Sequence, residues 1–478
     1  MKYSGGTSDC GVHFSVASVR QLRCRLSIAS VRVRKLSRTG RGKRSQNRSG
    51  SRPAQRKPIS QRLKVSLSSA TYPPVFEQTI ALGPGRLHLP RWPRERGHAT
   101  LRPTRAVRTY EPKVQMTDAS TFITFVLGAG SSFEVSMPTG DELKSRIARA
   151  LSFESGRFGT PKGGDDQVCE ALERLSQRSG SQARSRYFAA AELISAAMPQ
   201  APSIDNFIDS HRSNSLVAEV GKVAIASEIL KAERASKLYT SPNSNGNRLD
   251  FTQIKDSWFN SFFQLVALNA QEEDLPDRLQ RVRVVSFNYD RTLEHFLFHS
   301  IQNYYRSSPE RAADILKNLV IFHPYGKVGN LPWQNTGTSV PFGGDMHCTA
   351  LLQVSTGLRT FTEGTSETES QIDSIRTTVF DAEILAFLGF AYHELNLELL
   401  FGVSNPGPAR PDKLVFGTAR GLSESNKIAI ARELSTLGRY KLAQVTLRRE
   451  LTAARLLPEY SRSLRIPSGP SSTEPSRA

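Results

Sequence analysis

The sequence predicts an α/β fold: a mostly parallel sheet with flanking helices, a helical insertion, and disordered N-terminal and C-terminal tails. Three observations predict it. Short apolar runs at Thr121–Leu127, Val282–Phe287, Leu319–Phe322, Ile384–Phe390 and Leu414–Phe416 each end in polar or glycine residues, as buried strands do at one edge of a sheet. Stretches of helical periodicity separate these runs, and strands that alternate with helices argue for parallel pairing. The charge is also partitioned. The chain carries 64 Lys and Arg against 44 Asp and Glu, and residues 1–115 hold 25 of the former and only four of the latter. The remainder is near neutral, with an ordinary globular composition.

Residues 1–115 are rich in Arg, Ser, Gly and Pro and lack hydrophobic periodicity. Such a segment buries too little apolar surface to offset its ordering entropy. It reads as an organelle transit peptide, as a nucleic-acid-binding tail, or as the product of a start codon placed too far upstream. The last is favoured, because Met116 is the first methionine after Met1 and a strand begins a few residues later. From Met116 the order is as follows. Thr121–Leu127 is a buried strand. Thr139 and Glu142 form a T-x-x-E capping box, and Leu143, Ile147 and Leu151 continue one helical face. Residues 152–185 read as a Gly/Ser/Arg-rich loop, 186–236 as helical, 240–248 as a turn, and 251–270 as a further helix through Trp258, Phe262, Phe263 and Val266. The helical insertion thus spans about 152–280 of a domain running from 116 to 460. After the later strands, Ser423–Leu457 reads as one long helix broken near Gly438, and 461–478 as a disordered tail. Together these elements form a Rossmann-like frame.

Composition excludes several classes. The four cysteines, Cys10, Cys24, Cys169 and Cys348, form no C-x-x-C pair, so neither a zinc ribbon nor a redox motif is expected, and a reducing cytoplasm fits best. No run approaches the roughly 20 apolar residues of a membrane span, and no secretory signal is visible. Residues 116–478 are too neutral for nucleic acid to be an expected partner.

Four segments carry chemistry. Gly128-Ala129-Gly130-Ser131-Ser132 follows the first strand. Glycines there admit a close ligand and leave N–H groups for a phosphate; a tight turn without a ligand is the alternative. Asn288-Tyr289-Asp290 follows the Val282 run, at the sheet edge where open α/β sheets bind ligands. Asn offers donor and acceptor, and Asp an acceptor; Asp290 also stands where it would cap the helix that follows. His323, in His323-Pro324-Tyr325-Gly326, is placed on a turn where a neutral imidazole acts as general base or serves as a structural group. His295, His299, His347 and His393 rival it on position. Gly389 ends the Phe387 run, and His393-Glu394 beyond it lacks metal-ligand spacing, so it reads as helix start and ligand rim. Val415-Phe416-Gly417-Thr418 repeats the strand–glycine pattern.

In their order along the chain these segments resemble the sirtuin-like superfamily, most closely its zinc-free bacterial NAD-hydrolysing branch. The pieces that carry the resemblance are Leu127–Ser132, Pro138–Leu143, Ser203–Phe207, Phe287–Asp290, His323–Gly326, Leu388–Asn396 and Gly417–Leu422, covering roughly residues 120–425. The resemblance implies that Gly128, Ala129, Gly130 and Ser131 hold the NAD pyrophosphate. It further implies that Asn288 sits by the nicotinamide ribose, Asp290 holds the carboxamide, His323 is catalytic, and Gly389 lies near the adenosine half. It implies NAD as substrate, no zinc, and a role in antiphage defence through a partner protein or homo-oligomer, for which the helical insertion is the expected surface. Sirtuin deacylases differ: they carry paired C-x-x-C motifs, Gln where this chain has Phe287, and an Asp-Phe-Arg element where it has Phe133–Pro138. These departures point away from acyl-lysine chemistry; a non-catalytic NAD or ADP-ribose sensor is the first alternative to a hydrolase, and an NAD-dependent protein deacylase the second.

Overall fold

The computed structural model describes residues 122–155, 161–180, 183–241, 248–335, 337–344, 347–364, 371–402 and 412–466. The expected disordered segment 1–115 and most of the C-terminal tail lie outside them. The described chain runs on to Ile466, with Leu464 and Ile466 buried.

Strand β1 (Ile123–Leu127) is buried along its whole length and leads into a short helix, α1 (Ala129–Ser132). Helix α2 (Gly140–Ala150) starts at the expected capping box: the Thr139 side chain accepts from Glu142 N–H, and the Glu142 carboxylate accepts from Thr139 N–H. A two-residue hairpin, β2 (Glu154–Ser155) with β3 (Pro161–Lys162), follows. The segment expected to loop out next holds helix α3 (Asp166–Ser179). Asp165 caps it, and Val168, Ala171 and Leu172 bury one face; three apolar residues at helical spacing sufficed where composition alone read as loop. Helices α4 (Ala183–Ala197), α5 (Ile204–Ser210) and α6 (Ser215–Ala235) occupy the expected helical region. Helix α6 is apolar on nearly every side and buries residues all round its length, so it is the axis on which α2, α3 and α4 pack. Helices α7 (Trp258–Ala267) and α8 (Leu275–Gln280) complete the insertion.

The chain then re-enters the sheet with β4 (Val282–Ser286), helices α9 (Thr292–Tyr305) and α10 (Pro309–Leu316), and β5 (Val320–Phe322). Helices α11 (Cys348–Ser355), α12 (Phe361–Gly364) and α13 (Ile372–Asp381) precede β6 (Ile384–Leu388). After α14 (Glu394–Phe401) come β7 (Leu414–Thr418) and α15 (Glu424–Gly438). The long helix expected to Leu457 stops here. Arg439 turns left-handed, and the chain forms a sixth sheet strand, β8 (Val445–Arg448), before the short helix α16 (Ala453–Glu459).

The six-stranded sheet has the order β5-β4-β1-β6-β7-β8, and every pairing is parallel. Counting only this sheet's strands, the order is 3-2-1-4-5-6. That is the doubly wound arrangement, whose chain direction reverses between its first and fourth strands. Here those strands are β1 and β6, paired from Ile123↔Ile384 to Leu127↔Leu388. Connections leave them to opposite sides, which opens a crevice beyond their carboxyl ends. Among the described residues no helix is long and apolar enough to cross a membrane.

Candidate functional site

The crevice is built from two glycine turns packed backbone to backbone. Gly128 N–H donates to Leu388 O and Gly130 N–H to Gly389 O, each at 3.0 Å. Gly389 has φ +57°, and a Cβ there would sit 1.9 Å from Ser131 N; a Cβ on Gly128 would sit 2.6 Å from Gly389 O. Glycine is required on both sides. Part of the expected phosphate seat is thereby spent. The N–H groups of Gly128 and Gly130 serve the neighbouring turn, and that of Ser131 donates to Gly128 O at 2.8 Å. Ala129 is half-exposed on the crevice, and no acceptor among the described residues meets its N–H. Ser131 is buried beneath the turn, where its Oγ donates to Gly128 O and its carbonyl accepts from Trp258 Nε1 at 2.7 Å.

The end of β4 is tied to this turn. Asn288 Nδ2 donates to Ser132 Oγ at 3.1 Å and to Ser131 Oγ at 3.3 Å. Asn288 Oδ1 is buried without a partner among the described residues, an acceptor left for a ligand hydroxyl or water. Asp290 Oδ1 accepts from Ser132 Oγ, from Thr292 Oγ1 at 2.5 Å and from Thr292 N at 3.1 Å. The N-cap of α9 is Arg291, not Asp290 as its position suggested; Asp290 accepts from the first N–H of the helix from one residue further out and braces the glycine turn as well. Burial, with Glu233 and Glu294 nearby, raises its carboxyl to about 6 against the hydrogen bonds from Thr292.

His323, at the end of β5, closes the network. Its Nδ1 lies 3.3 Å from Asn288 O and its Nε2 lies 3.1 Å from Glu294 Oε1. Both ring nitrogens face acceptors, so neither offers a free lone pair to the crevice. Lys327 Nζ donates to the same Glu294 oxygen at 2.9 Å. Burial alone would raise the Glu294 carboxyl; Lys327 and His323 override it and hold the group well below the usual carboxylate range. Of the four rival histidines, His393 lines the crevice itself, and the other three lie elsewhere. His295 stacks on Phe342 and bonds Leu238 O, and burial pushes it well below its ordinary value. Burial also lowers His299, to about 4. His347 caps α11.

All eight residues singled out from the sequence therefore meet at one end of the sheet, around β1, β4, β5 and β6. In front of them lies a cavity of about 590 Å³ lined by Gly128, Ala129, Gly130, Phe287, Gly389 and Phe390, among others. Asn288, Asp290 and His323 stand behind that lining. Several cavity residues were given no role from the sequence, although Asp205, Asn396, Thr418 and Arg420 lie inside segments that carry the resemblance. Asp205, at the start of α5, accepts a hydrogen bond from Tyr289 OH, and Tyr325 OH donates to Asn396 Oδ1 at 2.6 Å. Burial raises the Asp205 carboxyl against that bond and His393. Both tyrosines lay inside quoted motifs, but nothing local says that an acid from the distant helical block will reach them. Thr418 at the end of β7, Arg420 beyond it, and Leu451, Thr452 and Ala453 after β8 complete the wall.

Among the described residues one group has metal-ligand character, Glu170, His347 and Cys348, with ligand atoms within 4.8 Å of one another. It is outside the cavity lining, and Arg174 pairs with Glu170 at 2.8 Å, so that carboxylate already has a cation partner. No family model matches this chain, and no curated protein matches it.

Proposed function

We propose that the chain is a sirtuin-like, zinc-free NAD hydrolase that cleaves NAD to nicotinamide and ADP-ribose. The observation that carries this reading is the gathering of Asn288, Asp290 and His323 behind the two glycine turns that line the crevice at the switch point of a doubly wound sheet, which is where such sheets bind nucleotides. The cavity volume lies within the roughly 300–1,000 Å³ of small-molecule sites. Its walls offer Phe287, Phe390 and Tyr325 for rings, and the unpaired Asn288 Oδ1 suits a ribose hydroxyl or water.

In this reading Ala129 N–H and the glycine backbone meet the pyrophosphate. Asn288 Oδ1 orients the attacking water or a ribose hydroxyl. The bond between nicotinamide nitrogen and ribose C1′ breaks with its electron pair on the nicotinamide, while water adds to C1′. The proton released passes to His323, after its ring gives up one of its two contacts, and Glu294 stabilises the resulting imidazolium. Asp290 holds the Ser132 and Thr292 hydroxyls, so its role is to fix the turn as well as to meet the carboxamide.

A second reading, an NAD or ADP-ribose sensor without turnover, is favoured by one observation: both nitrogens of His323 are engaged. Incubation of the full chain with NAD separates the two, because release of nicotinamide belongs only to the hydrolase. The expected result is release by the wild type and none by His323→Ala, with circular dichroism unchanged. Full activity in that variant removes His323 from the mechanism, and binding without release selects the sensor.

A further inference from the structure

Beside the cavity runs a larger open groove of about 1030 Å³, sharing Phe133, Glu134, Arg420 and Thr452 with it. Five cations from separate segments line this groove: Arg146 on α2, Lys237 after α6, Lys255 before α7, Arg420 after β7 and Arg455 on α16. Surface cations are ordinarily interspersed with acids that pair with them. Here the side-chain charges of Arg146, Lys255, Arg420 and Arg455 make no hydrogen bond or ion pair with another described residue. Lys237 donates only to a backbone carbonyl, Glu134 O, at 3.1 Å.

Three acids lie in the same groove, and two are already committed. Glu134 accepts from Trp258 N at 2.9 Å and Ala454 N at 2.8 Å. Glu142 accepts from Thr139 N at 2.9 Å in the capping box. Only Asp256 is left without a helix to cap. Five cations against three carboxylates leave this concave, nucleotide-sized surface net positive, with the donors of all its cations but Lys237 unspent, and a phosphate gains most from such a surface because several charges act on it at once.

We propose that this groove is a phosphate-binding site for a nucleotide carrying a di- or triphosphate group. The proposal goes beyond the cleavage reaction and does not depend on turnover of NAD. Two sources share the chemistry: a separate nucleotide beside the cavity, or a dinucleotide whose other end occupies the cavity and whose pyrophosphate takes the groove in place of the glycine turn.

The test is calorimetric titration of the full chain with ATP, then with NAD, at low and high NaCl. The comparison is with Arg146→Glu/Arg455→Glu, whose positions line the groove and not the cavity, and with the single variant Lys255→Glu on an exposed turn. ATP is expected to bind the wild type with an affinity that falls as salt rises. The double variant, folded by circular dichroism, should bind at least about tenfold more weakly, and Lys255→Glu should weaken binding by a smaller factor. NAD binding that weakens in parallel assigns the groove to the dinucleotide's own phosphates; NAD binding that is unchanged assigns it to a separate nucleotide. Failure of ATP to bind the wild type, or equal binding to wild type and double variant, overturns the proposal. Absence of nicotinamide release would sink the hydrolase reading and leave this titration untouched.

Discussion

Asp290 shows how one side chain acquires a property its sequence neighbours do not announce. Burial raises its carboxyl to about 6 from an ordinary 3.8, so the folded chain keeps this proton to higher pH than the unfolded chain. The stability it contributes is present below the unfolded value and is lost as pH rises through about 6. A shift of that size on a buried group corresponds to about 3 kcal/mol. Asp290→Asn should escape this loss. Urea unfolding at about pH 4 and about pH 7 should show the wild type falling behind the variant by on the order of 2–3 kcal/mol across that interval. A difference that does not change with pH would mean that Asp290 titrates normally. Asn288, Asp290, His323 and the glycines were legible because each follows an apolar run, and in a parallel sheet every such run ends at the same edge. Glu294 was not, and Asp205 stood in a quoted segment, Ser203–Phe207, with no role assigned to it. Glu294 sits inside α9 among apolar residues, and only the fold places His323 and Lys327 against it. Asp205 comes from a helix some 80 residues before Tyr289, a distance across which local pattern carries no information.

At the level of elements, one buried ion pair fastens the insertion to the sheet. Arg291, between β4 and α9, donates through Nη2 to Glu233 Oε2 at 2.5 Å and through Nε to Oε1 at 3.1 Å, and both side chains are fully buried. The remaining donors reach Val340 O and Pro341 O, and Glu233 also accepts from Gly343 N at 2.9 Å. Removing one partner strands the other charge without solvent. Glu233→Ala is therefore expected to lower unfolding stability by about 3–5 kcal/mol, measured as a shifted urea midpoint at unchanged slope; a shift within about 0.5 kcal/mol would show the pair to be dispensable. The sequence pattern located five of the six sheet strands and missed β8. Its Val445-Thr446-Leu447 core is short and flanked by charge, and it borders helical periodicity on both sides, so the helical pattern prevailed. What makes it a strand is the open edge of β7, to which Val415–Thr418 offer the pairing, a partner that exists only in three dimensions. The helix α3 was hidden in the same way by the glycines and serines before it.

Across the whole molecule, the alternation of strands and helices made a parallel sheet legible, while the order of its strands was not. Nothing local states that β1 lies between β4 and β6 or that the crevice falls at that seam. The order has a measurable consequence. Amide exchange should be slowest at the centre, at Phe125, Val126, Val285, Leu385 and Phe387, all fully or almost fully buried. It should be faster in the partly exposed edge strands β5 and β8. Uniform protection across all six strands, read by mass spectrometry, would contradict this gradient. The wall contributed by Leu451, Thr452 and Ala453 carries a different consequence, one of timing. These residues follow the last strand, and Ala454 N–H completes the set of donors around Glu134, more than 300 positions upstream. Translation delivers the first glycine turn more than 300 residues before this wall. A chain on the ribosome that has not yet reached Ala454 thus lacks one side of its pocket, and whatever the pocket does waits for that segment.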